Sequence, residues 1–248
     1  MKRIETLAVT SGRPGHQPDA PLNPNVQLTS TFRAGGPLGY GRYGNETWLA
    51  VEEAISNLEG GKSLIFSSGM AAINAVFNIL PIGAVVTASN QGYSGTMTVL
   101  KMLNESGRLE VRFVDVANTD EVLNAIPGTQ LLWLESPTNP CLEVVELPKV
   151  IKAAKDAGIG VAVDNTFATP YLQQPFRYDV DYVMHSTTKF LNGHSDSVGG
   201  VVILKHQDDV DWMKFVQNAA GAILGPMDSW LILRGTKTLT VRMERTNE

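Results

Sequence analysis

One cysteine, Cys141, occurs in 248 residues, so no internal disulfide can form and no thiolate cluster can hold a metal. Nor does any stretch approach about 18 uninterrupted apolar residues, the length a membrane-spanning helix needs. Basic charge is not in excess: 20 Lys and Arg stand against 25 Asp and Glu, for a formal charge of −5 with both signs scattered. A basic stripe able to neutralise a phosphate backbone is therefore missing, which argues against a nucleic-acid partner. The opening Met1-Lys2-Arg3-Ile4-Glu5 runs into polar, Gly- and Pro-containing sequence rather than an apolar leader, and the chain reads as cytoplasmic, neither exported nor membrane-bound. Internal repeats and low-complexity segments are absent as well. What the chain has in plenty is apolar residues, 43%, enough for a large buried core.

Residues 1–46 are rich in Gly, Pro and Asn and show no sustained helical or strand period, which predicts an extended arm. A domain follows over 47–248. It opens on Thr47, a good N-cap residue, before the amphipathic run Trp48 to Glu59, which Gly60-Gly61 would stop. Beyond lie short apolar or β-branched runs at 84–87, 109–114, 131–134, 160–163, 182–184 and 200–204, with helical stretches near 70–80, 95–106, 119–126 and 146–157. Strands without polar alternation, separated by helices, imply an α/β fold: a mostly parallel sheet in three α/β/α layers. In such sheets the ligand crevice lies outside the carboxyl ends of the strands, so chemistry is sought in the residues just after each run.

Those positions hold Ser67-Ser68-Gly69-Met70, Tyr93, Glu135-Ser136-Pro137-Thr138-Asn139-Pro140, Asp164-Asn165-Thr166 and Ser186-Thr187-Thr188-Lys189. Pyridoxal phosphate would use all of them. It needs a lysine amine for covalent attachment, a carboxylate to keep the pyridine nitrogen protonated, phosphate donors and a flat group against the ring. Lys189 follows hydroxyls beyond an apolar strand, whereas a lysine taken alone is usually a solvated surface residue. Asp164 ends a buried strand, where a charge must find a partner; a helix N-cap is the competing role. Ser68-Gly69-Met70 at a strand-to-helix junction offers free amides to an anion, although Ser-Ser-Gly is also ordinary capping chemistry. Tyr93 can stack on the ring, or simply pack beneath a loop.

Taken together, the chain resembles the Cys/Met-metabolism family of pyridoxal-phosphate enzymes, which includes cystathionine γ-synthase, cystathionine γ-lyase, cystathionine β-lyase and methionine γ-lyase. The resemblance runs from about Asn23 to Arg245 on Tyr40-Gly41-Arg42-Tyr43-Gly44-Asn45, Ser67-Ser68-Gly69-Met70, Glu135-Ser136-Pro137-Thr138-Asn139-Pro140, Asp164-Asn165-Thr166-Phe167, His185-Ser186-Thr187-Thr188-Lys189, Gly193-His194-Ser195-Asp196 and Leu233-Arg234-Gly235-Thr236-Lys237. It implies the large domain of the type I pyridoxal-phosphate fold. Lys189 would be the attachment lysine, Asp164 the ring-nitrogen partner, and Tyr93 the stacking ring that also acts on substrate. Gly69, Met70, Ser186 and Thr188 would hold the phosphate, and Asn139 would lie near the cofactor hydroxyl and substrate carboxylate. Tyr40 and Arg42 would reach from the arm into a neighbouring subunit's site, making a dimer the smallest working unit and a tetramer usual.

The chain departs from the family pattern in two places. The family's Asn-Pro-Thr reads Asn45-Glu46-Thr47, with little expected consequence because Glu is favourable in a first helical turn. The sequence ends within the long helix that in relatives leads to a smaller C-terminal domain, which carries the arginine and serine that grip the substrate carboxylate. Ser195, where methionine γ-lyases more often have glycine, and Gly95, where they typically have cysteine, favour the cystathionine enzymes. The expected activity is transsulfuration of sulfur-containing or O-acylated amino acids in cysteine and methionine metabolism, first as γ-synthase, with γ- or β-lyase, or a truncated non-catalytic cofactor-binding or assembly protein, as alternatives.

Overall fold

The protein was analysed as a computed structural model that describes residues 2–248. Its centre is a seven-stranded sheet in the order β1-β7-β6-β5-β4-β2-β3. The strands are β1 (Lys62–Phe66), β2 (Ala84–Ser89), β3 (Leu109–Val114), β4 (Leu131–Glu135), β5 (Gly160–Asp164), β6 (Tyr182–His185) and β7 (Gly200–Leu204). Helices α1 (Ile4–Thr10), α2 (Glu46–Glu59), α3 (Gly69–Asn78), α4 (Ser94–Glu105), α5 (Thr119–Ala125), α6 (Leu147–Asp156), α7 (Thr169–Leu172), α8 (Gln207–Ala220), α9 (Pro226–Thr236) and α10 (Leu239–Asn247) surround it. None of these helices is long and apolar enough to cross a membrane.

The unbroken apolar runs have a simple cause: both faces of each central strand are covered. Leu132 and Leu134 of β4 point into one cluster, with Val51 of α2, Val150 of α6 and Ile232 of α9. Leu131 and Trp133 of the same strand point into the other, with Ile73 of α3, Leu100 of α4 and Met213 of α8. Trp133 lies against Phe77, with ring centroids 4.9 Å apart. Burying side chains of this size contributes about 1.5–3 kcal/mol each.

Strands β2, β3, β4, β5 and β6 run parallel, while β7 runs against β6 and β1 runs against β7. Two reversals restore the direction, so the carboxyl end of β1 emerges on the same edge as those of β2, β4, β5 and β6. That edge holds the site. The antiparallel β7 enters there at Gly199-Gly200, and a Cβ on Gly200 would lie 2.2 Å from the Ser68 carbonyl oxygen, so the two chains meet only because position 200 is bare.

Two expectations need correction. The arm is not extended throughout: α1 forms over Ile4–Thr10, with Ala8 buried and Ile4 and Leu7 packed against the core. The cap of α2 is Asn45, not Thr47: the Asn45 Oδ1 accepts from the Thr47 amide at 2.9 Å. Thr47 instead anchors the arm, its hydroxyl donating to the Asn25 carbonyl at 3.0 Å and accepting from the Gln27 amide at 2.9 Å.

Candidate active site

A cavity of about 220 Å³ opens at the common strand edge. Eight of the ten residues singled out in the sequence line it: Gly69, Met70, Tyr93, Asn139, Asp164, Ser186, Thr188 and Lys189. Tyr40 and Arg42 do not. They lie on the arm, where the Arg42 guanidinium donates to the Asn218 carbonyl at 2.7 Å and lies over the rings of Tyr40 and Tyr43.

The donors gather at the α3 N-terminus. Ser68 caps that helix by accepting from the Ala71 amide at 3.1 Å, which leaves the first-turn amides of Gly69 and Met70 free to face a ligand. A Cβ on Gly69 would lie 2.9 Å from the Ser186 Cβ, so glycine lets the cradle of Gly69 and Ser186 close to this distance.

The acids gather at the ends of β4 and β5. Glu135 and Asp164 are register partners across the two strands, and among the described residues neither is ion-paired with a lysine or arginine. Burial raises the Asp164 carboxyl above its usual range, against the opposing pull of the Thr166 hydroxyl and amide and of His185. The Thr166 hydroxyl donates to Asp164 at 2.5 Å and accepts from the Ser186 amide at 2.9 Å, linking the acid end to the donor end. Burial, and next the nearness of Asp164, push Glu135 up to about 8, although it accepts from two amides.

Lys189 does not lie in a closed, dry pocket. Its side chain is exposed at the junction between this cavity and a more open one lined by Phe190, Ser195, Asp196 and Asp228. The loop that carries it is held from below: Arg242 of α10 donates to the Phe190 carbonyl at 2.7 Å, and a Cβ on Gly235 of α9 would sit 2.1 Å from the Asn192 carbonyl oxygen. Tyr93 immediately precedes α4 and lines the same cavity, 38% exposed.

Sequence reasoning left two acids without roles. Glu135 ties Tyr93 to Asn139, as described below. Glu59, at the end of α2, meets the Nε2 of His185 at 2.5 Å and accepts from the Asn165 side chain at 2.9 Å, all three fully or almost fully buried. This cluster lies behind Asp164 and fixes the ends of β5 and β6. The signal for both acids was available: a carboxylate closing an apolar run must be satisfied from inside the fold.

Anion donors at one end, unpaired buried carboxylates at the other, an apolar lining that includes Ile73, Phe167 and Met184, and an exposed amine at the rim together fit pyridoxal phosphate. Residues 5–248 match the model of the Cys/Met metabolism PLP-dependent enzymes. The chain belongs to this family. It is 42% identical to the cystathionine gamma-lyase of Bacillus subtilis, covering all of this chain and 67% of that protein. It is 38% identical to a probable cystathionine gamma-synthase of Herpetosiphon aurantiacus, covering 96% and 77%. A cystathionine gamma synthase from Xanthomonas oryzae, solved in complex with aminoacrylate and cysteine, superposes with a TM-score of 0.93 at 34% identity, over 97% of this chain and 64% of that one. Family membership makes pyridoxal phosphate the cofactor; the chain spans about two thirds of the length of the first of these relatives and of the solved structure.

Proposed function

We propose that the chain carries out transsulfuration at Cβ or Cγ of an amino acid bearing a sulfur or O-acyl leaving group, with γ-replacement, as in a cystathionine γ-synthase, the leading reading. The observation that carries it is the convergence of Lys189, Asp164, Tyr93 and the Gly69–Ser186 cradle on one cavity in a chain of this family. The cofactor supplies an electron sink that acidifies the Cα proton of a substrate amine joined to it. Everything else falls to the chain.

Lys189 provides the amine for attachment and, once free, the base that moves the Cα proton; its exposed position between two cavities leaves it room to swing. Asp164 holds the ring-nitrogen proton. Its buried carboxyl resists ionising without a cation nearby, so a cationic ring nitrogen is the partner it lacks. Thr166 fixes the rotamer of that carboxylate. The Gly69 and Met70 amides, with the Ser186 and Thr188 hydroxyls, receive the phosphate at a helix N-terminus. Tyr93 covers one ring face and Asn139 orients the substrate carboxylate.

In the same reading, residues 1–46 form an arm whose Tyr40 and Arg42 complete the phosphate site of a second subunit, residues 47–248 form the cofactor domain, the assembly is a dimer or tetramer, and the protein is cytoplasmic. Arg42 lies outside its own cavity, which supports this use of the arm. A Cβ on Gly95 would lie 2.6 Å from Tyr93 Cε1 and 2.7 Å from Met70 Sδ, so this Tyr93 occupies the space a cysteine there would need. That supports a cystathionine enzyme over a methionine γ-lyase. Elimination by a γ-lyase is the second reading, favoured by the 42% identity to such an enzyme.

Assay with an O-acylhomoserine plus cysteine, and separately with cystathionine, tests the choice. Cystathionine formed from the first pair supports γ-replacement; cysteine and a 2-oxo acid released from cystathionine support the γ-lyase. Cofactor binding without turnover in either assay would reject the enzymatic reading in favour of a non-catalytic cofactor-binding protein.

A further inference from the structure

Glu135 closes β4, a strand buried along its whole length, and its two oxygens do different work. Oε2 accepts from the Tyr93 amide at 2.8 Å, and Oε1 accepts from the Asn139 amide, also at 2.8 Å. One donor lies 42 residues before it and the other four residues after it. The Tyr93 loop comes so close that a Cβ on Gly92 would be 3.1 Å from Oε2. A second contact joins the same two loops, between Cys141 Sγ and Gln91 Oε1 at 3.4 Å.

We infer that Glu135 is a positioning residue whose carboxylate clamps the backbones of Tyr93 and Asn139 together, and so sets the gap between the stacking ring and the substrate-orienting amide. This rests on the reading above for the roles of those two residues. Each oxygen accepts from one main-chain donor, so Glu135 acts through these partners. A neutral residue would end a buried strand without desolvating a charge; the carboxylate is costly here, pushed up to about 8 by burial and by Asp164. Once ionised, above pH about 8, the carboxyl offers two acceptors on one rigid group, a geometry the Gln side chain cannot reproduce because one of its ends is a donor.

The test uses Glu135→Gln and Gly92→Ala, read above pH 8, where the Glu135 carboxyl is ionised. In ligand-free protein, Glu135→Gln should speed amide exchange at residue 93 or 139 by about tenfold or more while core strands β5 and β6 stay protected. In cofactor-loaded protein the visible band should remain, because Lys189 is untouched, but its circular dichroism should change and kcat should fall about tenfold to a hundredfold, with a smaller change in KM. Gly92→Ala should shift the same readouts in the same direction by less, and it decides the matter if Glu135→Gln does not fold. Unchanged exchange at 93 and 139 with unchanged dichroism would overturn the clamp. If the wild-type protein itself forms no visible band, the cofactor reading fails first; if wild type forms it and the variants are indistinguishable from it, only the clamp fails.

Discussion

Replacing Glu52 by Gln should stabilise the protein at alkaline pH and leave it almost unchanged at acid pH. Glu52 sits in the middle of α2, where Oε1 accepts from the Ile65 amide of β1 at 2.9 Å. Burial raises its carboxyl from 4.5 to about 7, more than the Ile65 amide and Lys214 lower it. Below pH about 4.5 the group is protonated in both folded and unfolded chains, so it contributes nothing to the pH dependence. Between 4.5 and 7 the unfolded chain ionises first, the folded chain binds more protons, and stability falls as pH rises. Each unit of difference is worth about 1.4 kcal/mol, so the full effect by pH 8 is about 3 kcal/mol. Glutamine keeps an oxygen for Ile65 and has no charge to desolvate. Urea unfolding of both proteins at pH 4.5 and pH 8 would measure it, the difference between them removing every other titrating group. A variant-minus-wild-type difference that is the same at both pH values would refute the reasoning.

Two further substitutions separate stability from function. Asp164→Asn should leave ligand-free stability at neutral pH equal or higher, since it removes a buried acid that resists ionising, while turnover falls by about a thousandfold; thermal melts alongside steady-state rates test both halves. Gly95→Ala should displace the Tyr93 ring, because its new methyl would lie 2.6 Å from Cε1, lowering kcat by about tenfold with cofactor attachment intact, as read from rates and the visible band.

Much of this architecture was legible because it follows from burial. Six of the seven strands announced themselves as apolar or β-branched runs, and all of these but the edge strand β3 are covered on both faces. β1 showed only through the strand-to-helix junction at Ser67-Ser68-Gly69: Lys62-Ser63-Leu64-Ile65-Phe66 is short, begins with polar residues and follows a glycine pair, and it pairs with β7 across the sheet. α1 was invisible for a related reason. Seven residues that include Ile4, Thr6, Val9 and Thr10 make a poor isolated helix, and it is held by packing of Ile4, Leu7 and Ala8 against the core. Two changes of direction at β7 and β1 likewise left no mark on the sequence.

The site shows the same division. Lys189, Asp164, Tyr93 and Gly69 were found by looking just past the strands, and one cavity brings them together. Glu135 was named there without a role, although Leu-Leu-Trp-Leu-Glu ends as Gly-Val-Ala-Val-Asp does, because its partners are backbone amides that carry no residue identity. Hydrogen bonds to main chain belong to the folded shape and cannot be read from side-chain spacing. The exposure of Lys189 was equally hidden, since the mouth of a cavity depends on how α9 and α10 support the loop.

The central claim is that Lys189 is where pyridoxal phosphate attaches. Loading the protein with pyridoxal phosphate, reducing it with borohydride and mapping the label by mass spectrometry tests this directly. The account predicts a single stoichiometric label on the peptide containing Lys189, and no visible band in Lys189→Ala. A label scattered over surface lysines, or a normal band in Lys189→Ala, would contradict it.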